Sequence, residues 1–354
     1  MADPTNRYER TAARQHGRPG RELRPVSTTI DMHAHMIVDA AAALVAPHLP
    51  QDPRAQYFTA ETRLLTRKQD QDRHKHHTDL DLRLSVMDEM GVDMQIISPA
   101  PPQCYYTVSP EIGVAAAQAV NDGVAEFCAR RADRLAALGT VPLQAGGAAA
   151  AEELARCMGR LGMKGVEVLT HVGEKEISDP LLEPFWDKAE ALGAVVMVHP
   201  SGFTEARRFG RYYFNNVIGN PLDTTIALHY LIFDGVLARH PKLKIVAVHG
   251  GGYLPAYSGR IDHAWGARSD SHGDLKEPPT SYLKRVYFDT IVFTPQQLEA
   301  LVSLFGADHL LMGTDYPFDM AEYDPIGHLA SARALDAAMT AAIAGGNSRK
   351  LFGV

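Results

Sequence analysis

Eight short β-branched runs, spaced along the chain by longer Ala/Leu-rich stretches, constrain the fold more than any other feature. The runs are Thr28–Met32, Met94–Ser98, Leu135–Val141, Gly165–Leu169, Ala194–His199, Lys244–His249, Val286–Asp289 and His309–Thr314. Helix-like segments lie between the later ones: Pro110–Arg131, Ala148–Leu161, Pro180–Leu192, Asp223–Arg239 and Pro295–Phe305. Strands that alternate with helices imply a parallel sheet. Eight such units in one chain imply a closed (β/α)8 TIM barrel rather than an open sheet. Helix punctuation agrees. Ser109-Pro110 and Thr294-Pro295 place a capping residue before a first-turn proline, and Gly91, Gly162, Gly193 and Gly306 stand where helices stop.

One stretch breaks the rhythm. Residues Ile37–Thr78, rich in charge and histidine, separate the first strand from the helix near Leu82–Met90. In a barrel this is an insertion on the C-terminal face, where active sites are built, and it is expected to form a lid or small subdomain. Its His74-Lys75-His76-His77 run reads as solvated histidines on a polar loop. The remaining organisation is simple: a polar, Arg-rich arm over residues 1–25, then one barrel over residues 26–354.

The strand ends carry the chemistry. The first strand runs into Asp31-Met32-His33-Ala34-His35. Residues i and i+2 of a strand share a side, so His33 and His35 project together. The fifth run stops at His199-Pro200, the sixth at His249 before Gly250-Gly251-Gly252, and the eighth leads to Asp315. Each residue alone could serve a loop. Together they converge on one barrel mouth, where they repel or stay unsatisfied without an ion or substrate. The three glycines read either as room for a close substrate or as a tight turn.

These residues carry a resemblance. The chain resembles the amidohydrolase superfamily, in the branch of aminocarboxymuconate-semialdehyde decarboxylase and its relatives. The matching pieces are Asp31–His35, Thr170-His171-Val172, His199-Pro200, the long Pro241–Arg260 motif and Gly313–Phe318. The resemblance covers nearly everything from Thr28 onward. It implies one divalent ion, zinc with manganese as the alternative, on His33, His35, His199 and Asp315. It implies His249 as the acid–base catalyst, with Asp315 also part of the catalytic group. Relatives with two ions use a modified lysine at the end of strand four. Lys164 lies at that strand's start instead, so one ion is expected.

The resemblance further implies that Arg260 grips a substrate carboxylate in a neighbouring subunit's site, hence a homodimer or higher homo-oligomer. A second carboxylate-binding arginine does not align, and Arg63, Arg67 and Arg73 stay open as candidates. Phe318 is expected in the pocket; Phe203, Tyr212, Tyr213, Phe214 and Trp265 read as pocket or packing. The implied reaction is non-oxidative decarboxylation of a small unsaturated or aromatic carboxylic acid. The alternative is a hydrolase or hydratase acting through a metal-bound water.

Composition narrows the partners. A formal net charge of −7 disfavours nucleic acid or an anionic membrane. No run reaches the length of a membrane span. Cys104, Cys128 and Cys157 show no paired spacing and read as free thiols in a cytoplasmic protein.

Overall fold

The computed structural model describes residues 25–354, so the arm expected over residues 1–25 lies outside the described residues except for Pro25. The strands are β1 Ile30–Met36, β2 Met94–Pro99, β3 in two pieces (Leu135–Ala137 and Gly139–Thr140), β4 Gly165–Leu169, β5 Val195–His199, β6 Lys244–Ala247, β7 Tyr287–Asp289 and β8 Leu310–Leu311. Every neighbouring pair is parallel, in sequence order from β1 to β8. The last and first strands then meet. Met32 N donates to Met312 O at 2.9 Å, His35 N to Tyr316 O at 2.7 Å and Asp315 N to His33 O at 2.8 Å. The barrel is therefore closed, and its closing seam is the place where the strand-one and strand-eight site residues touch.

The helices are α1 Asp39–Val45, α2 Ala60–Thr78, α3 Leu80–Met90, α4 Pro110–Ala129, α5 Gly147–Gly159, α6 Glu183–Leu192, α7 Asn220–Phe233, α8 Leu254–Ala267 and α9 Pro295–Phe305, with shorter turns between. Two depart from expectation. The helix expected over Asp223–Arg239 starts earlier and breaks at Gly235, whose φ of 78° no helix continues. The segment expected to start at Pro180 opens with a tight 3-10 turn before α6.

Two apolar layers result. Ile30, Met32, Leu138, Val195, Met197, Val246 and Leu311 fill the barrel, while Val166, Val168, Val196, Val198 and Ile245 face the helices. Alternation along β5 thus puts Val195, Met197 and His199 on the inner side. On β1 the phase changes. Ile30 and Met32 point inward but Ala34 and Met36 outward, because the pairing with β2 slips between Asp31 and Ala34. Such a bulge re-aims a strand. Here it turns both His33 and His35 into the mouth.

The insertion carries two helices, and the His74–His77 run expected on a polar loop lies in α2. Thr59 caps α2 by accepting from Thr62 N, and Asp79 ends α2 while capping α3. Among the described residues no helix is long and apolar enough to cross a membrane. All three cysteines are free and buried.

Candidate active site

His33, His35, His199, His249 and Asp315 meet at the C-terminal mouth of the barrel. The ring centroids of His33 and His35 lie 5.1 and 5.0 Å from that of His199, and His199 lies 5.1 Å from His249. His33 Nε2 and His35 Nε2 approach to 3.0 Å, and they lie 3.4 and 3.2 Å from the same Asp315 oxygen. His249 Nε2 is 3.5 Å from the other oxygen. Ligating atoms of His33, His199, His249 and Asp315 all lie within 4.8 Å of one another.

The outer ring nitrogens assign the tautomers. His33 Nδ1 donates to the Asp289 carboxylate at 2.7 Å, and His35 Nδ1 to the Pro99 carbonyl at 3.1 Å. His199 Nδ1 donates to the Pro200 carbonyl at 2.6 Å. Each Nε2 is then a bare lone pair aimed at the centre. The His199 Nε2 and one Asp315 oxygen are buried with no hydrogen-bond partner. These groups face one another closely enough to hold a cation between them. Three imidazoles and a carboxylate are a donor set that suits a borderline divalent ion.

His249 differs. Its Nδ1 is buried without a partner, and its side chain is 14% exposed against 0% for His33 and His35. Ligating histidines almost always anchor their outer nitrogen. The outer nitrogen of His35 is anchored and that of His249 is not, although the His249 ring is equally close.

Electrostatics follow from burial and neighbours. Burial pushes the Asp315 carboxyl up, but His249, His33 and His35 more than offset this and hold it well below the usual carboxylate range. Burial, then the neighbouring imidazoles, keep His199 well below its ordinary value. Burial pulls His249 down too, yet Asp315 and Asp289 outweigh it and raise the ring's affinity for a proton.

The strands explain how each group arrives. On β6, Val246 and Val248 point inward, so a continued strand would send His249 outward. Instead β6 stops at Ala247, not at His249 as expected, and His249 turns with φ 54°. Asp315 likewise sits at φ 62°. Non-glycine residues in this left-handed region cost about 1–3 kcal/mol and persist where function or surroundings demand them.

The glycines after His249 serve that turn. A Cβ on Gly250 would lie 2.3 Å from Val292, on Gly251 2.7 Å from Phe288, and on Gly252 2.2 Å from the Pro221 carbonyl. They face protein, so the tight-turn reading holds and the substrate-clearance reading does not.

A cavity of about 470 Å³ opens over the group, lined by His199, His249, Asp315, Phe318, Tyr213 and arginines of the insertion. The Phe318 ring lies 5.1 Å from that of His35. Phe203, Tyr212, Phe214 and Trp265 do not line it; Trp265 stacks on His272 at 4.4 Å. Arg260 is exposed on α8 and outside the cavity lining. Arg63, Arg67 and Arg73 all border the cavity.

The Amidohydrolase family model matches residues 30–354, the whole barrel. The chain belongs to the amidohydrolase family. Among its relatives, 2-amino-3-carboxymuconate-6-semialdehyde decarboxylase of Dictyostelium discoideum is 32% identical over 277 residues, covering 78% of this chain and 77% of the relative. Gamma-resorcylate decarboxylase of Rhizobium sp. strain MTP-10005 is 30% identical, covering 77% and 86%. The crystal structure of 5-carboxyvanillate decarboxylase from Sphingomonas paucimobilis superposes with a TM-score of 0.82 at 25% identity, covering 92% and 99%.

Within this amidohydrolase barrel, three positions at the site escaped sequence reasoning. Asp289 accepts from His33 and also from the His249 and Gly250 amides, at 3.0 and 2.8 Å. Its only sequence signal is an acid at the end of strand seven. Glu167 is fully buried on β4, 3.5 Å from His35 Nδ1, and burial pushes its carboxyl up to about 7. An acid inside the apolar run Gly165–Leu169 was the available clue. Arg54, on a short turn of the insertion, lines the cavity beside Ser201 and Gly202. Nothing in the local pattern distinguishes it from the insertion's other charges.

Proposed function

We propose that this chain is a metal-dependent non-oxidative decarboxylase of a small aromatic or unsaturated carboxylic acid. The observation that carries it is the convergence of three imidazole lone pairs and Asp315 on one point, beneath a cavity that also admits His249 and Phe318. The three relatives named above are all decarboxylases, which favours this chemistry over hydrolysis on the same ligands.

In this reading His33, His35, His199 and Asp315 hold one divalent ion, zinc or manganese. When bound, the ion supplies a Lewis acid that polarises a substrate oxygen. His33 and His35 are kept in register by Asp289 and by the Pro99 carbonyl. His249, the one histidine of the group with an unanchored outer nitrogen, delivers a proton to the carbon that carries the carboxylate. The bond from that carbon to the carboxylate then breaks, its electron pair returns to the unsaturated system, and carbon dioxide leaves. His249 recovers its proton from solvent. Phe318 walls the substrate on the side of His35. Within residues 37–78, the turn around Asp52–Phe58 and helix α2 line the cavity and act as its lid.

The active unit is a homodimer or higher homo-oligomer in which Arg260 serves the neighbouring site. Arg260 and Tyr257 lie exposed on α8, Tyr257 at 72%, which suits a covered surface. Guanidinium–carboxylate pairing suits the task. Three free buried thiols fit a reducing, cytoplasmic setting.

The test is carbon dioxide release by zinc- and manganese-loaded protein across a panel of hydroxybenzoic and muconate-type acids. Release that disappears with chelation and in His249→Ala supports the proposal. Metal-dependent loss of esters, lactones or enols without carbon dioxide moves the chain to the hydrolase or hydratase reading.

A further inference from the structure

The arginines of the insertion differ in what they hold. Arg63 donates to the Ala55 and Phe58 carbonyls at 3.1 and 2.7 Å. Arg54 pairs with Asp52 at 2.9 Å. Arg73 is almost fully buried, 4% exposed, and bridges two parts of the chain. One N–H reaches Asp70 of its own helix at 2.8 Å, and another reaches Asp319 at 3.1 Å. Asp319 follows Asp315 closely in the loop after β8. The same Asp319 oxygen accepts the Tyr213 hydroxyl at 3.2 Å, from the loop after β5. The Arg73 guanidinium also lies 5.5 Å from the centre of the Phe318 ring. Phe318 in turn meets His35 at 5.1 Å and His77 of α2 at 5.3 Å.

One buried cation thus ties together α2, the loop that carries Asp315, and the aromatic ring on His35. Tyr213 joins the same point with a φ of 60°, beside Tyr212 at 55°, a backbone state that persists only where the surroundings enforce it. We infer that Arg73 is a positioning residue that clamps α2 onto the loop after β8, setting Phe318 against His35 and closing the insertion over the cavity. Its two terminal nitrogens each meet a carboxylate of the protein itself, which favours a positioning role over a grip on the substrate carboxylate. A buried ion pair of this kind holds geometry rather than adding net stability.

The test uses the full chain, with Arg73→Met, Arg73→Lys, Asp319→Asn and Tyr213→Phe. Hydrogen exchange is measured with and without zinc, and kinetics in the zinc form. Arg73→Met is expected to speed amide exchange across residues 60–78 about tenfold or more while β4 and β5 stay protected. It is expected to lower kcat by about tenfold to a hundredfold with little change in KM, as a misplaced wall does. Arg73→Lys restores part of both, because it keeps the charge but not the fork. Unchanged exchange in residues 60–78 overturns the clamp. So does a rise in KM at constant kcat, the mark of a group that binds substrate directly. Should Arg73→Met fail to fold, Tyr213→Phe removes one hydroxyl only. It is expected to move both readouts in the same direction by less, and no movement in either rejects the inference. The kinetic arm rests on the proposed decarboxylation; the exchange arm does not, so a wrong activity and a wrong clamp give different results.

Discussion

The ring nitrogen that does not face the centre decides what each histidine of the mouth can do. His33, His35 and His199 spend theirs on a carboxylate or a carbonyl, which leaves the inner lone pair free for an ion. His249 does not. Replacing His33 or His199 by Ala is therefore expected to abolish metal retention in elemental analysis. Replacing His249 by Ala is expected to keep the metal and lower turnover by about 10²–10⁴-fold, the usual contribution of a positioned acid or base. Metal lost from His249→Ala would make that residue a ligand. Asp289→Asn weakens the hold on His33 and on the turn at His249. Its expected effect is about a 10–100-fold loss of metal affinity in chelator competition. Equal affinity in the variant would reduce Asp289 to a support for the turn alone.

Among elements, the bulge in β1 and the left-handed turn after β6 perform the same task. Each overrides period-two alternation at a strand's end and swings a histidine into the mouth. Alternation was enough to pair His33 with His35, because they are two apart. It was not enough to say which way the pair points, since that depends on where β1 slips against β2. The turn at His249 depends on Gly252, at φ 68° with no room for a Cβ beside the Pro221 carbonyl. Gly252→Ala is expected to cost about 1–3 kcal/mol of stability by overpacking against backbone. It should also lower turnover, because α7 and α8 must part and carry His249 with them. Thermal melting and steady-state rates measure the two effects; an unaltered melting transition would mean that the turn relaxes freely. The insertion shows the reverse lesson. Its His74–His77 run read as solvated histidines on a polar loop. In the fold that run belongs to the 19-residue helix α2, whose His77 and Arg73 are buried.

For the whole molecule, the site is a stability device as well as a chemical one. Converging lone pairs repel until an ion joins them, so metal stabilises the folded chain by mass action. At a hundredfold excess over its dissociation constant an ion adds about 2.7 kcal/mol. Chelation is expected to lower Tm, and zinc or manganese to restore it; melting indifferent to both would show that no ion occupies this group. Subunit sharing has its own measurement. Arg260→Ala and His33→Ala are each expected to be nearly inactive. Refolded together, they should recover activity if Arg260 serves the neighbouring site, and remain inactive if it acts within its own chain.

What the sequence determined by itself was the order of strands and helices, the closed barrel they imply, and the side chains standing at strand ends. Those are local facts: apolar periodicity, capping residues and the position of a histidine or aspartate where a run stops. Tertiary structure alone decided the rest. Asp289 becomes a partner of His33, and Asp319 of Arg73, only when segments far apart in the chain are brought into contact. The anchors of two outer ring nitrogens come from other strands, Asp289 for His33 and the Pro99 carbonyl for His35. No spacing along one chain encodes those distances, because the closure of the barrel sets them.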